Sequence, residues 1–320
     1  MKREATSGRL AELIKLFDRI VTVEGGGVSL KISKPVVEQL DAACVLDRQL
    51  VLQQTVVSGD VLIELPVSEI LTDKTALDDP DLGAAFKVLR TQHGADSVCV
   101  LALYLLCLRR FPELGKPHRA YVESLPDDTP SPLAWPSEVL EVLQGTSISG
   151  ALRQQAAVVD ELADVWVSRL FQQLNGTIVT PLSSTWPKKE DVLYAFSMVS
   201  SRSFAVPFPD GSKPLSLIPL VDMLDHNPSV DVEFRVSAAA SGGPEASFQL
   251  IARSEQPAGG PLWSTYGHSK GNDDLLVHYG FCRPDNPSDK LSLSIRLGGD
   301  DEEARRDLEA LLLAAGGSPR

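Results

Sequence analysis

Three fragments of one stretch decide how this chain is read: Ser201-Arg202-Ser203-Phe204, then Leu217-Ile218-Pro219-Leu220-Val221-Asp222-Met223-Leu224-Asp225-His226, and then Tyr266-Gly267, Gly271-Asn272-Asp273-Asp274-Leu275-Leu276 and Tyr279-Gly280-Phe281. An apolar strand ends on the polar pair Asp225-His226, and each of the two tyrosines closes an apolar run. Polar groups delivered by strand ends into one place point to a site rather than to a core.

Outward from this stretch, the periodicity of apolar residues divides the chain. Leu10, Leu13, Ile14, Leu16, Phe17 and Ile20 predict a helix within residues 7–24, closed by Gly25-Gly26-Gly27. Val51–Val57 and Val61–Pro66 read as strands joined by a Ser58-Gly59-Asp60 turn, a hairpin. Residues 82–175 are helical in pattern, with helices expected at Val98–Arg110, Val139–Leu143 and Ser149–Leu170, and another at Lys188–Ser200 entered through Trp186-Pro187. Strands resume at Leu215–Leu220, Val230–Val236, Phe248–Ser254 and Leu262–Tyr266, with a loop at Ala238–Glu245 and a short helix at Asp273–His278. Strands, then helices, then strands imply an α+β fold whose β-rich halves are separated by a helical insert.

The composition sets limits. With 320 residues, 43% hydrophobic and 23% charged, the chain reads as globular, long enough for a large buried core. A net charge of −13 argues against sequence-independent nucleic-acid binding, which needs an excess of Lys and Arg against phosphate. Cys44, Cys99, Cys107 and Cys282 show no Cys-x-x-Cys spacing, and no histidine is placed to complete a zinc site, so free thiols in a reducing compartment are expected. No run of 18 apolar residues is present, and Met1-Lys2-Arg3-Glu4 leads directly into an amphipathic pattern. These features place the protein in the cytoplasm or nucleus, or in a plastid if a transit peptide has been removed.

The ordered fragments resemble the C-terminal half of the SET-domain protein methyltransferases of the Rubisco large-subunit and actin-histidine methyltransferase class. The resemblance extends over about residues 20–297, through Leu50–Pro66 in the first half and through Ala120-Tyr121-Val122-Glu123-Ser124-Leu125-Pro126 and Leu133-Ala134-Trp135 in the insert. It implies a SET fold of small twisted β-sheets with a C-terminal pseudoknot, an exception to the rule against threading. The expected organisation is an N-terminal helix and first SET part at 1–83, a helical insert at 84–200, the second SET part at 201–298 and a C-terminal helix at 299–320. That last helix is the start of a truncated substrate-binding domain or the end of a short relative.

The implied activity is transfer of a methyl group from S-adenosyl-L-methionine to a lysine, and secondarily to a histidine, of a non-histone protein. No metal is implied, no nucleic acid or membrane partner, and the protein is expected as a monomer. By the resemblance Tyr266 is the catalytic tyrosine, its phenol too weak a base at neutral pH and suited instead to orienting the acceptor. Tyr279 lines the channel for the target side chain. Arg202, Asp222, Asp225 and His226 hold the cofactor, together with Arg48 and Leu50 from the first-half loop. Five of them have a structural reading beside the functional one: Tyr266 as a tyrosine packed under a turn, Tyr279 as a core aromatic before glycine, Arg202 as a cation at a helix C-terminus, Asp222 as a turn cap and His226 as a satisfied histidine.

The chain departs from the family pattern in two places. Asp47-Arg48-Gln49-Leu50 stands where the family has Gly-x-Gly-Leu, whose glycines let backbone approach the cofactor. Asp225-His226 stands for Asn-His, so an acceptor-only carboxylate replaces an amide. A SET-fold interaction module with weak or lost cofactor binding is therefore the second function the residues allow.

Overall fold

A computed structural model describes residues 14–18, 27–28, 36–39, 46–174, 187–237 and 246–290, with 306–307, 309–311 and 313 near the end. The chain divides into two units, Met1–Asp289 and Lys290–Arg320. In the smaller unit the described residues between 306 and 313 are helical, inside the helix expected there. The expected loop at Ala238–Glu245 lies outside the described residues, as does most of the helix expected within 7–24, of which 14–18 is helical (α1).

In the larger unit the principal sheet has the order β1-β4-β10-β9, formed by Gly27–Val28 (β1), Val61–Pro66 (β4), Val232–Val236 (β9) and Ser247–Ala252 (β10), all antiparallel. β4 is nearly continuous in apolar residues because both of its faces are covered: Leu62 on one face and Ile63 and Leu65 on the other are fully buried. Val36–Gln39 (β2) pairs with Leu46–Gln49 (β3), and Leu71–Thr72 (β5), Leu215–Leu217 (β7) and Ser203–Ala205 (β6) form a third sheet. The two-residue strands Asp225–His226 (β8) and Trp263–Ser264 (β11) pair in parallel, Asp225 with Trp263 and His226 with Ser264.

Two expected strands are corrected. Val51–Val57 does not form a hairpin with β4. The Ser58-Gly59-Asp60 turn is present, with Gly59 at φ +97°, but β4 takes β10 as its partner. Residues 51–57 instead meet 256–261 through the single bridges Val51–Pro261 and Val56–Gln256. Pro257 and Pro261 lack the N–H groups a continuous ladder requires, so the contact stays a series of bridges. The strand expected at Leu215–Leu220 stops at Leu217, because Leu220 turns to φ +67°, ψ −34° and leads into a tight 3₁₀ turn at Val221–Met223.

The helices lie between the two groups of strands: Asp73–Asp78 (α2), Gly83–His93 (α3), Ser97–Arg110 (α4), Arg119–Ser124 (α5), Ser137–Glu141 (α6), Ser147–Glu161 (α7), Val167–Leu174 (α8) and Lys189–Arg202 (α9). α4 is buried from Cys99 to Leu108, as a helix apolar all round must be, and Asp96 caps its start by accepting from the Cys99 N–H at 2.7 Å. A π turn at Leu162–Trp166 joins α7 to α8 where one continuous helix is expected from the periodicity. α9 packs along α4 and runs directly into β6, which fixes Arg202 at the junction of helix and strand. Asn272–Tyr279 (α10) ends at Gly280, φ +79°, in the left-handed turn that glycine favours. Cys99 and Cys107 are buried free thiols and Cys282 is exposed. Among the described residues no helix is long and apolar enough to cross a membrane, and no group of three or more His, Cys, Asp and Glu could hold a metal ion.

Candidate functional site

The segment Asp222–His226 joins two clusters. At its start, Arg202 reaches from the end of α9 to Asp222. Its Nη1 donates to the Asp222 carbonyl at 2.9 Å and to Asp222 Oδ2 at 3.1 Å. The same Oδ2 accepts from the Tyr121 hydroxyl, carried by α5, at 3.0 Å. The Asp222 side chain is 3% exposed and that of Arg202 19%, so the pair is well removed from water. Burial, and next the Asp222 carboxylate, push the Tyr121 phenol well above its ordinary value, keeping it a neutral donor. Leu220, just before this corner, is the one non-glycine residue with positive φ among those described. Such a conformation carries about 1–3 kcal/mol of strain and persists where the surroundings over-determine it.

At the other end of the segment the forces are different. The Tyr266 N–H donates to His226 Nδ1 at 3.0 Å, and the Tyr266 hydroxyl donates to the Leu224 carbonyl at 2.7 Å. The Tyr266 ring stacks on Tyr279 with centroids 4.6 Å apart and on His226 at 5.2 Å, and Phe281 stands edge-on to Tyr266 at 6.3 Å. Lys270 Nζ lies 5.5 Å from the centre of the Tyr279 ring, a cation–π distance. Arg283, beyond α10, donates to the His226 carbonyl at 2.7 Å and ties the returning chain to β8.

Protonation follows from these contacts. Burial, followed by Arg283, Lys270 and His268 nearby, lowers His226 to about 4, so its imidazole is neutral. Because Nδ1 accepts from the Tyr266 N–H, the ring proton belongs on Nε2, which is buried without a hydrogen-bond partner. Arg202 Nε is a second buried nitrogen with no partner. Burial, and next Asp225, raise the Tyr266 phenol; burial and Asp274 raise Tyr279. Both tyrosines are neutral hydroxyls rather than bases.

The structure brings Arg202, Asp222, Asp225, His226, Tyr266 and Tyr279 together around one segment. Asp225 sits in β8 opposite Trp263. Leu50 is a core residue, 2% exposed, whose carbonyl accepts from the Leu262 N–H at 2.7 Å. Arg48 lies in β3 opposite Val37, and its side chain is outside the described residues. Residues 47–49, where the family pattern carries glycines, are regular strand.

Four residues had no role in the sequence reading and stand in the site: Tyr121, Phe281, Lys270 and Arg283. Phe281 and Tyr121 both lay inside quoted motifs, so proximity to a motif was the available signal. Nothing local marks Lys270 or Arg283. A broad cleft bordered by Lys74, Asp79, Tyr104, His118 and Phe208 includes none of the site residues.

The chain has the SET fold. It superimposes on the SET domain of LSMT bound to lysine and AdoHcy with a TM-score of 0.65, 18% identity, 98% of this chain and 65% of that one covered. On Rubisco LSMT bound to AdoMet the TM-score is 0.62, at 18% identity and 96% and 64% coverage. Among curated proteins it is similar to the tobacco chloroplastic ribulose-1,5 bisphosphate carboxylase/oxygenase large subunit N-methyltransferase, 25% identical over 260 residues, 79% of this chain and 49% of that protein. It is 24% identical over 303 residues to the chloroplastic [fructose-bisphosphate aldolase]-lysine N-methyltransferase of Arabidopsis thaliana, 93% of this chain and 58% of that one. The mouse actin-histidine N-methyltransferase is 27% identical over 222 residues, 68% of this chain and 35% of that one. The chain thus spans about half the length or less of these curated relatives, 35–58%. No protein-family model matches it.

Proposed function

We propose that this chain carries the catalytic portion of an S-adenosylmethionine-dependent protein methyltransferase acting on lysine, with histidine as the second acceptor, in a non-histone protein. The observation that carries this reading is the connection of the two clusters. The Tyr266 hydroxyl is bound to Leu224, two residues from the buried Asp222–Arg202 pair, within a SET fold.

The donor set suits the cofactor. Two buried nitrogens, Arg202 Nε and His226 Nε2, lack acceptors, while the same segment supplies two carboxylates, Asp222 paired with Arg202 and Asp225 next to His226 in β8. An unmet buried donor costs about 1–3 kcal/mol, so a ligand offering acceptors there is favoured. An amino-acid moiety offers a carboxylate for Arg202 and an ammonium for the aspartates. We assign cofactor binding to Arg202, Asp222, Asp225 and His226, with Arg48 in β3 and Leu50 just after it contributing from the first half of the chain. S-Adenosylmethionine, when bound, supplies a methyl group activated by the adjacent sulfonium.

The chain's own residues then orient and enclose. Tyr266 directs its proton to Leu224, which leaves its oxygen lone pairs to accept from an approaching amine or imidazole. Tyr279 and Phe281 present aromatic faces along the path of the target side chain and keep water out. A neutral phenol held in this way aligns the acceptor and does not abstract a proton. We further propose a monomer with a protein substrate and without nucleic-acid or membrane partners. Its compartment is the cytoplasm or nucleus, or the plastid as in the tobacco and Arabidopsis relatives.

A second reading, an interaction module with weak or lost cofactor binding, is favoured by one observation: Asp47, Arg48 and Gln49 occupy a strand where the resemblance has glycines. Calorimetric titration with S-adenosylmethionine separates the two. Saturable binding is expected. A folded protein that shows no heat up to millimolar cofactor overturns the enzyme and leaves the module.

A further inference from the structure

We infer that Tyr121 is a positioning residue that holds the Asp222 carboxylate to one edge of Arg202 and so keeps the other edge of the guanidinium open for the carboxylate of an amino-acid-bearing ligand. The inference rests on the cofactor reading above and adds the insert to the site.

Asp222 Oδ2 accepts from two donors on elements far apart in sequence, Tyr121 in α5 and Arg202 at the end of α9. All of Arg202's contact with Asp222 runs through Nη1, to Oδ2 and to the main-chain carbonyl. Arg202 Nε is buried and unmet. A guanidinium beside a buried carboxylate ordinarily closes a two-pronged pair, because the planar fork matches both carboxylate oxygens. That closure is not made here. The Tyr121 hydroxyl claims a lone pair on the oxygen that Nη1 also uses, and this fixes the direction in which the carboxylate faces.

Without the phenol proton, the Asp222 carboxylate is free to swing and engage two guanidinium nitrogens at once. The Arg202 edge that would meet a ligand is then occupied from within. Tyr121 does not touch the ligand. It acts through Asp222 on the state of Arg202, and the loss should be confined to ligands with a carboxylate.

The test is calorimetric, on the whole chain, with two probes: S-adenosylhomocysteine, which carries the amino-acid end, and 5′-methylthioadenosine, which lacks it. Tyr121→Phe keeps the ring and removes the hydroxyl. We expect Y121F to weaken S-adenosylhomocysteine by about tenfold, the scale of one hydrogen bond to a charged group. Affinity for 5′-methylthioadenosine should be unchanged, and the thermal midpoint should fall by only a few degrees. Equal weakening of both probes, or of neither, overturns the positioning role while leaving the cofactor reading in place. If the unaltered chain binds neither probe, the cofactor reading fails and the inference fails with it. If Y121F does not fold, Tyr121→Met fills the same space without a donor and is judged by the same ratio.

Discussion

The Arg202–Asp222–Tyr121 cluster and the His226–Tyr266–Tyr279 stack stand at opposite ends of one five-residue segment and are held by opposite kinds of force. The first is a buried ion pair with a phenol proton directed at it, its contacts between 2.9 and 3.1 Å. The second is a pile of rings anchored by two main-chain bonds, one to His226 and one from the Tyr266 hydroxyl. The polar end is specific and brittle, because removing either charge leaves its partner stranded in a low-dielectric place. The aromatic end spreads its stabilisation over many weak contacts, and it tolerates the loss of one polar atom. A reaction that must grip a charged donor and guide an apolar-stemmed acceptor needs both behaviours side by side.

The sharpest break in this contrast should come from Asp222→Ala. It strands the Arg202 charge among buried groups and leaves the Tyr121 hydroxyl without its acceptor, so we expect a loss of about 3–5 kcal/mol in chemical denaturation. A loss below about 1 kcal/mol would mean that the pair is solvated in practice, in the range of exposed ion pairs.

Gly280→Ala is the corresponding stroke against the aromatic end. A Cβ there would meet the Pro130 carbonyl oxygen at 2.0 Å, and the backbone sits at φ +79°. Strain and overlap together should cost about 2–4 kcal/mol, read as a fall in the unfolding midpoint. The affinity of the folded fraction for S-adenosylhomocysteine should hold, since Arg202 and Asp222 are untouched and Asp225 and His226 are held in β8 by its pairing with β11. Joint loss of stability and affinity would show that the two ends are one mechanical unit.

Tyr266→Phe acts on function more than on stability. It removes the bond to Leu224 but keeps the ring between His226 and Tyr279. Turnover on a methyl-accepting protein should drop by about 100-fold, the scale of a lost orienting contact, with cofactor affinity nearly unchanged. Parallel losses in both quantities would refute the orienting role.

How much of this could be read from the sequence differs between the two ends. Tyr266, Tyr279, Asp225 and His226 are spaced along a run of short strands and one helix, and their order carries the reading. Arg202 was legible through the Ser201-Arg202-Ser203-Phe204 fragment and the resemblance it carries, since the helical period alone marks only a cation near the end of α9. Tyr121 lies 101 residues from Asp222, and no local pattern reveals a side chain whose partner is that distant. The packing of Gly280 on Pro130 is equally long-range and shows only as a glycine after a helix. The pairing of Val51–Val57 is long-range in the same way: its partner is 256–261, where Pro257 and Pro261 cut the ladder into bridges. The helical region was legible in outline, but the π turn at Leu162–Trp166 was not, since its residues continue the apolar period of α7.

The smallest effect is a titration, and it sharpens the comparison most finely because it touches only the aromatic end. His226 accepts the Tyr266 N–H through Nδ1, so protonating the ring would set one donor against another. Its pKa is lowered from 6.5 to about 4 in the fold, first by burial and then by Arg283, Lys270 and His268. Between those two values the unfolded chain binds a proton that the folded chain refuses. The neutral imidazole therefore contributes stability in full above about pH 6.5, and that contribution is lost as pH falls toward 4. His278, also lowered by burial, gives a slope of the same sign, so the two must be separated. In His226→Asn the amide oxygen can take the Tyr266 N–H without titrating. The difference between wild type and H226N in unfolding free energy should accordingly shrink as pH falls from 7 to 4.5. A constant difference across that range would place the acid sensitivity elsewhere, on His278 or beyond the site.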